Sequence, residues 1–449
     1  MVRRAWCGVQ DRYGRLGDGI DAKEPEPFSY DRDYVVLLSD WTDENPTRVL
    51  AKLKKQSDYY NQHKRTVGDF IDDVSEMGWS AAVADRKMWA EMKMSPTDLA
   101  DVSGYTYTYL MNGQAPDGNW TGIFKPGEKI RLRFINASAM TYFDVRIPGL
   151  KMTVVAADGL HVKPVSVDEF RIAVAETYDV IIEPDSEQAY TVFAQSMDRT
   201  GYARGTLAVQ EGLSAPVPSP DPRPLIAMGD MGMDHGSMGG MDHGNMAGMD
   251  HGSMAGMDHG SMQGGMAGMA GMAGAMQAHP ASETNNPLVD MQTMTPTHKL
   301  DDPGIGLRDN GRRVLTYSDL RSTFLDPDGR EPSRTIELHL TGHMEKFSWS
   351  FDGIKFSDAE PLRLKYGERV RITLVNDTMM THPIHLHGMW SDLEDANGNF
   401  LVRKHTIDMP PGSKRSYRVT ADALGRWAYH CHLLLHMEMG MFREVRVDE

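Results

Sequence analysis

The chain has 449 residues, a net charge of −16 and 40% hydrophobic residues. That length suits about three domains, and the acidic balance disfavours a nucleic acid or an anionic membrane surface as partner. No apolar run nears the roughly 20 residues that span a bilayer, and the basic start Met1-Val2-Arg3-Arg4-Ala5-Trp6 lacks the apolar stretch of an export signal.

From residue 27 the pattern is that of β-structure. Short apolar and β-branched runs at 33–39, 130–136, 143–147, 178–183 and 190–195 are separated by turn residues, which suits a sandwich. Residues 45–95 interrupt it with helical spacing. Asn45 is placed to cap a helix with Pro46 at its first position. Val49, Leu50 and Leu53 form one apolar face, and Phe70, Ile71, Val74 and Met77 another. Met88, Met92 and Met94 are expected to pack in this insertion rather than bind a ligand.

Residues 228–276 are of low complexity. The unit Met-Asp-His-Gly-x-Met starts at Met233, Met241, Met249 and Met257, and the segment holds no aromatic or β-branched residue. It cannot bury a core and is expected to be disordered, within a linker over 213–300. Its thioethers and imidazoles (Met233, His235, Met238, Met241, His243, Met246, Met249, His251, Met254, Met257, His259 and Met262) suit Cu(I), a soft cation.

Strand patterns return at 335–340, 369–375, 414–419 and 442–447. An internal repeat ties the halves together. Gly127-Glu-Lys-Ile-Arg-Leu-Arg-Phe-Ile-Asn136 matches Gly367-Glu-Arg-Val-Arg-Ile-Thr-Leu-Val-Asn376 at nearly every position, identically or in kind, so duplicated domains are expected. The second copy runs on into His382-Pro383-Ile384-His385-Leu386-His387; the first continues without histidine. Near the C-terminus stand His430-Cys431-His432, His436 and Met441. Imidazole, thiolate and thioether together suit copper. On a strand, Cys431 faces one side and its two histidine neighbours the other. With Cys431 a ligand, Cys7 is left unpaired and no disulfide framework exists.

These C-terminal motifs resemble the multicopper oxidase family, and the Met-Asp-His-Gly units with Gly342-His343-Met344-Glu345-Lys346-Phe347-Ser348-Trp349 are similar to its copper-resistance subfamily. The resemblance implies an all-β chain of tandem cupredoxin-like Greek-key sandwiches. A copper-free domain would span 27–212 with the insertion 45–95, and a copper-binding domain 301–449. It implies His382, Cys431, His436 and Met441 at a type 1 copper, His385 at a type 2 copper, and His387, His430 and His432 at a type 3 pair. Cys431, His430 and His432 would carry electrons. Up to four coppers per complete enzyme, Cu(I) or a small phenol as reductant, oxygen as acceptor, a periplasmic location and other copper-resistance proteins as partners follow from it. Trp390 is expected beside the type 1 site, and His161, His298, His343 and His405 as ordinary polar residues.

The match departs from the family in two places. Met437 stands where many relatives carry a carboxylate, and Glu438 is assigned no role. No His-x-His precedes residue 385, and the first histidine is His63. Residues 1–26 are therefore expected to be the remnant of a first cupredoxin domain, leaving four of the eight imidazoles that the family uses. A non-enzymatic periplasmic copper-sequestering protein is the second reading of the same residues.

Overall fold

A computed structural model describes residues 26–233 and 276–449. Two β-sandwiches share one topology. In each, a six-stranded sheet faces a five-stranded one, and the strands follow in the same spatial order. The repeat explains this. Ile130–Asn136 pairs in parallel with Arg32–Trp41 and antiparallel with Thr177–Ile182. Arg369–Asn376 pairs in parallel with Arg334–His343 and antiparallel with Lys414–Thr420. Each repeat strand ends in an asparagine whose side-chain amide donates to two backbone carbonyls, Thr141 and Ile172 for Asn136, Met380 and Met409 for Asn376. That amide fixes where the chain turns next, and in the second sandwich the next strand is His382–Leu386.

Burial follows the two-residue period. Phe442–Asp448 alternates half-buried and buried positions along its length. Each strand expected at 33–39, 130–136, 143–147, 178–183, 190–195, 335–340, 369–375, 414–419 and 442–447 is present, within three residues at either end.

The insertion is helical, with Pro46–Leu53, Val67–Met77 and Trp79–Glu91. Asn45 caps the first, accepting from the Thr47 N–H at 3.0 Å, and Val49 and Leu53 are buried. The second apolar face is not. Helix Val67–Met77 has no buried residue, and Ile71 is 63% exposed. Arg65 and Arg86 both pair with Asp73, and Phe70 meets the Trp79 ring edge-on, which holds this helix on Trp79–Glu91 and leaves Ile71 and Met77 outward. Met88, Met92 and Met94 pack, partly buried, against the core.

The linker expected over 213–300 is ordered in its described parts. Ile226, Met228, Met231, Met291 and Leu300 are buried, so its ends carry the apolar surface that its middle lacks. The departing and returning chains meet: Thr293 Oγ1 donates to the Met231 carbonyl at 2.8 Å, and the Thr295 N–H to that of Gly232 at 3.0 Å. Met233 packs against the core. The remaining repeat residues, His235 to Met262, lie outside the described residues, as does the expected remnant up to residue 25 with Cys7. Among the described residues, no helix is long and apolar enough to cross a membrane.

The sandwiches join through a buried charge. Lys404 of the second is fully buried, its Nζ 2.9 Å from Asp158 and 3.1 Å from Glu176 of the first. Removing one partner of such a group leaves uncompensated charge in a dry interface. Lys404→Ala should therefore lower unfolding stability by ~3–5 kcal/mol, measured by denaturant titration.

Candidate metal centres

Strand register builds two sites from one pair of strands. Gly425–Cys431 runs antiparallel to His382–Leu386, with Ile384 opposite Cys431 and His385 opposite His430. Opposed residues share a face, and alternate residues along a strand share a face. His382 and Cys431 therefore fall on one side. His385 and His430 fall on the other, and His387 extends that side by the same period. Just past the strand, Gly388 turns the chain at φ +76°; a Cβ there would lie 2.4 Å from the Trp427 ring, so the turn requires glycine.

On the first side His382, Cys431 and His436 are fully buried. Cys431 Sγ lies 3.6 Å from His382 Nδ1 and 3.8 Å from His436 Nδ1, and the two nitrogens are 3.1 Å apart. Both rings are held from behind. His436 Nε2–H donates to the Asp101 carboxylate at 2.7 Å, and His382 Nε2–H to Thr378 Oγ1 at 2.8 Å. These bonds put the ring proton on Nε2 and leave the Nδ1 lone pair aimed at the sulfur. Burial pushes the His382 imidazolium well down and the Cys431 thiol well up. Met441 is fully buried, and its carbonyl accepts from the Cys431 N–H at 3.1 Å. Trp349 stacks on His436 at 4.0 Å between ring centroids, and Phe347 meets its edge. Trp390, expected beside this site, is instead 38% exposed and faces His405 on the other side. Its strand-end position follows the outward face, and Trp349, from the opposite sheet, closes the sulfur side.

His436 sits on the short helix Leu434–Glu438, which docks on the first sandwich. The Leu434 N–H donates to the Ala139 carbonyl at 3.0 Å. The Ala139 loop is in turn held by buried Asp40, which accepts from the Ala139 and Met140 N–H groups at 2.8 and 2.9 Å. Asp101, Thr378 and Asp40 have no signal in the sequence. Asp101 stands 335 residues from His436, and only folding brings them together. Loss of a bond of this kind weakens metal retention by about 10- to 100-fold. Asp101→Ala should do so here, read by competition with a copper chelator.

On the second side four imidazoles gather. The centroids of His385 and His387 are 4.7 Å apart, those of His387 and His430 5.2 Å, and those of His430 and His432 5.5 Å. His385 Nδ1–H donates to the His405 carbonyl at 2.6 Å and His430 Nδ1–H to that of Cys431 at 2.9 Å, so neither Nδ1 is the ring atom left for a ligand, and His430 Nε2 lies 3.1 Å from His387 Nε2. Buried His432 Nδ1 has no hydrogen-bond partner. Burial pushes His385 down to about 3 and His430 to about 4, which leaves both neutral near pH 7. His387, His430 and His432 line a cavity of about 600 Å³ shared with His405, Leu37 and Trp41. Met437 also lines it, whereas Glu438 is exposed. His161 pairs with Glu26 and His343 with Asp290.

Multicopper oxidase family models match residues 32–212 and 329–449. A copper resistance protein A homolog of Pseudomonas syringae pv. tomato is 75% identical over 98% of this chain and 75% of its own. Copper resistance protein A of Escherichia coli is 73% identical over 98% of this chain and 76% of its own. Among solved structures, Fet3p, a multicopper oxidase that functions in iron import, aligns with a TM-score of 0.56 at 15% identity, covering 95% of this chain and 68% of its own.

Proposed function

The chain belongs to the multicopper oxidase family, and on that premise we propose that it is a copper-resistance oxidase taking electrons from Cu(I) or a small phenol and passing them to oxygen. The observation that carries this is the convergence of His382 Nδ1, Cys431 Sγ and His436 Nδ1 within 4.8 Å of one another in a dry pocket. Two imidazoles and a thiolate suit a blue type 1 copper, which His382, Cys431 and His436 would hold, with the thioether of buried Met441 as a further soft donor. His385 suits a type 2 copper, and His387, His430 and His432 a type 3 pair. Bound copper would supply one-electron redox steps, which the family's complete set of four combines into the reduction of oxygen to water.

The chain's own residues do the rest. Asp101 and Thr378 orient the two imidazoles. Trp349 and Phe347 pack against the histidine rings beside the buried thiol. Cys431 is joined to His430 and His432 by its own peptide bonds, so a few covalent bonds link the two groups of ligands. Copper resistance would follow in the periplasm from lowering Cu(I), the thiol-seeking form.

The Met and His residues of the repeats from Met233 to Met262 would collect that Cu(I). Deleting 234–275 should lower Cu(I) uptake, measured against a Cu(I) chelator, and leave the blue colour unchanged. Oxygen uptake with Cu(I) or a phenol as reductant tests the whole reading. Copper-loaded protein that turns blue yet consumes no oxygen would reduce the function to copper binding.

A further inference from the structure

A second group of metal-ligating side chains lies apart from both copper faces. His279, Glu283, His339 and Asp377 each offer one atom, all within 4.8 Å of one another. His339 and Asp377 come from the second sandwich, His279 and Glu283 from the segment returning after the repeats. His339 Nδ1 lies 2.6 Å from Asp377 Oδ2, and His279 Nδ1 lies 3.2 Å from the same oxygen. Glu283 Oε2 is 3.3 Å from His279 Nδ1, and Glu283 Oε1 is 3.7 Å from His339 Nδ1. The Glu283, His339 and Asp377 side chains are at most 1% exposed.

The hydrogen bonds decide the protons. His279 Nε2 is 3.0 Å from the Thr293 carbonyl, and His339 Nε2 is 3.4 Å from the Glu337 carboxylate. The outward partners only accept, and so do the carboxylates that face each Nδ1, so without an ion each ring carries a proton on both nitrogens, and the Asp377 carboxylate raises His279 to about 9. A metal ion would take the place of the two inward protons. Glu283 Oε1 and His279 Nδ1 are buried without a hydrogen-bond partner. The other carboxylate oxygens are held in place, Glu283 Oε2 by Gln292 Nε2 at 2.8 Å and Asp377 Oδ1 by the Thr293 N–H at 2.7 Å. Four potential ligands converge on one point, and outer groups fix each of them, as around a metal.

We propose that His279, Glu283, His339 and Asp377 bind one divalent first-row transition ion, Cu(II) or Zn(II). Two imidazoles and two carboxylates suit either, and with the same ligands Cu(II) binds the more tightly. Metal–ligand bonds of about 2.0–2.2 Å place tetrahedral ligands roughly 3.3 Å apart. Three of the four separations above are already near that value, and the shortest must open by less than about 1 Å. The charge balances, two carboxylates against one dication. His279 stands three residues after Met276, the last methionine of the repeats. The ion would clip the returning end of that segment to the C-terminal sandwich.

The test is a metal count on the full chain. His279→Gln keeps a donor for the Thr293 carbonyl and removes the inward nitrogen. After equilibration with excess Zn(II) and removal of weakly held ion, it should retain one Zn(II) fewer per chain than the wild type. Zn(II) bound by the four imidazoles of the cavity cancels in that difference. The blue colour, regained with copper, reports that the variant folds. Should it not fold, Glu283→Gln, which still accepts from Gln292, should show the same deficit of one ion. In the wild type, Cu(II) should displace the extra Zn(II). Equal counts in folded variant and wild type would overturn the proposal, leaving two protonated imidazoles as the balance for the carboxylates.

Discussion

Replacing Cys431 by serine abolishes the blue absorption of the copper-loaded chain: that is the result we expect, a complete loss. The colour of a site with two imidazoles and a thiolate arises from charge transfer out of sulfur, and among the described residues Cys431 is the one cysteine. Serine keeps the size and fits the same buried position, so the fold should stand, as circular dichroism would show. Oxygen uptake should vanish with the colour. A blue Cys431→Ser protein would mean that another group supplies the chromophore and would sink the type 1 assignment.

The second large effect separates the two faces of one strand. His432→Ala should leave the blue colour intact and lower the number of coppers held per chain, with oxygen uptake falling in step. His432 points away from the sulfur, toward the cavity of about 600 Å³ that His387 and His430 also line. His387, His430 and His432 stand on that wall with His405, and Leu37 and Trp41, which also line it, offer no ligand. Each imidazole is therefore a large share of what holds metal there, and losing one should release copper to a chelator that does not bleach the blue site. Bleaching of the colour by His432→Ala would show that the two groups of ligands are not independent.

Much of this was legible in the residues. The two-residue period of runs such as 442–447 marks strands because it must, and the repeat ending in Asn136 and Asn376 places two copies of one fold. His-Cys-His on a strand yields two faces by geometry alone. That the helix Val67–Met77 keeps its residues unburied was not legible, since helical spacing reports a stripe and cannot say what covers it. Trp390 was misplaced because adjacency in sequence stood in for adjacency in space; Trp349, from another strand, takes that position. Asp101 and the His279, Glu283, His339 and Asp377 group were invisible for the same reason. Their partners are brought together across long stretches of chain, and no spacing encodes them.

The bond from His436 to Asp101 makes the colour a gauge of docking. Asp101 belongs to the first sandwich and His436 to the second, and the helix carrying His436 rests on the Ala139 loop. Cutting the chain into its two sandwiches would strip one imidazole of its anchor. On heating, the hue should drift as the seam between them, which also holds Lys404, opens. A spectrometer following the blue band would then be reading how far two bodies have parted, and only indirectly the redox state of a metal.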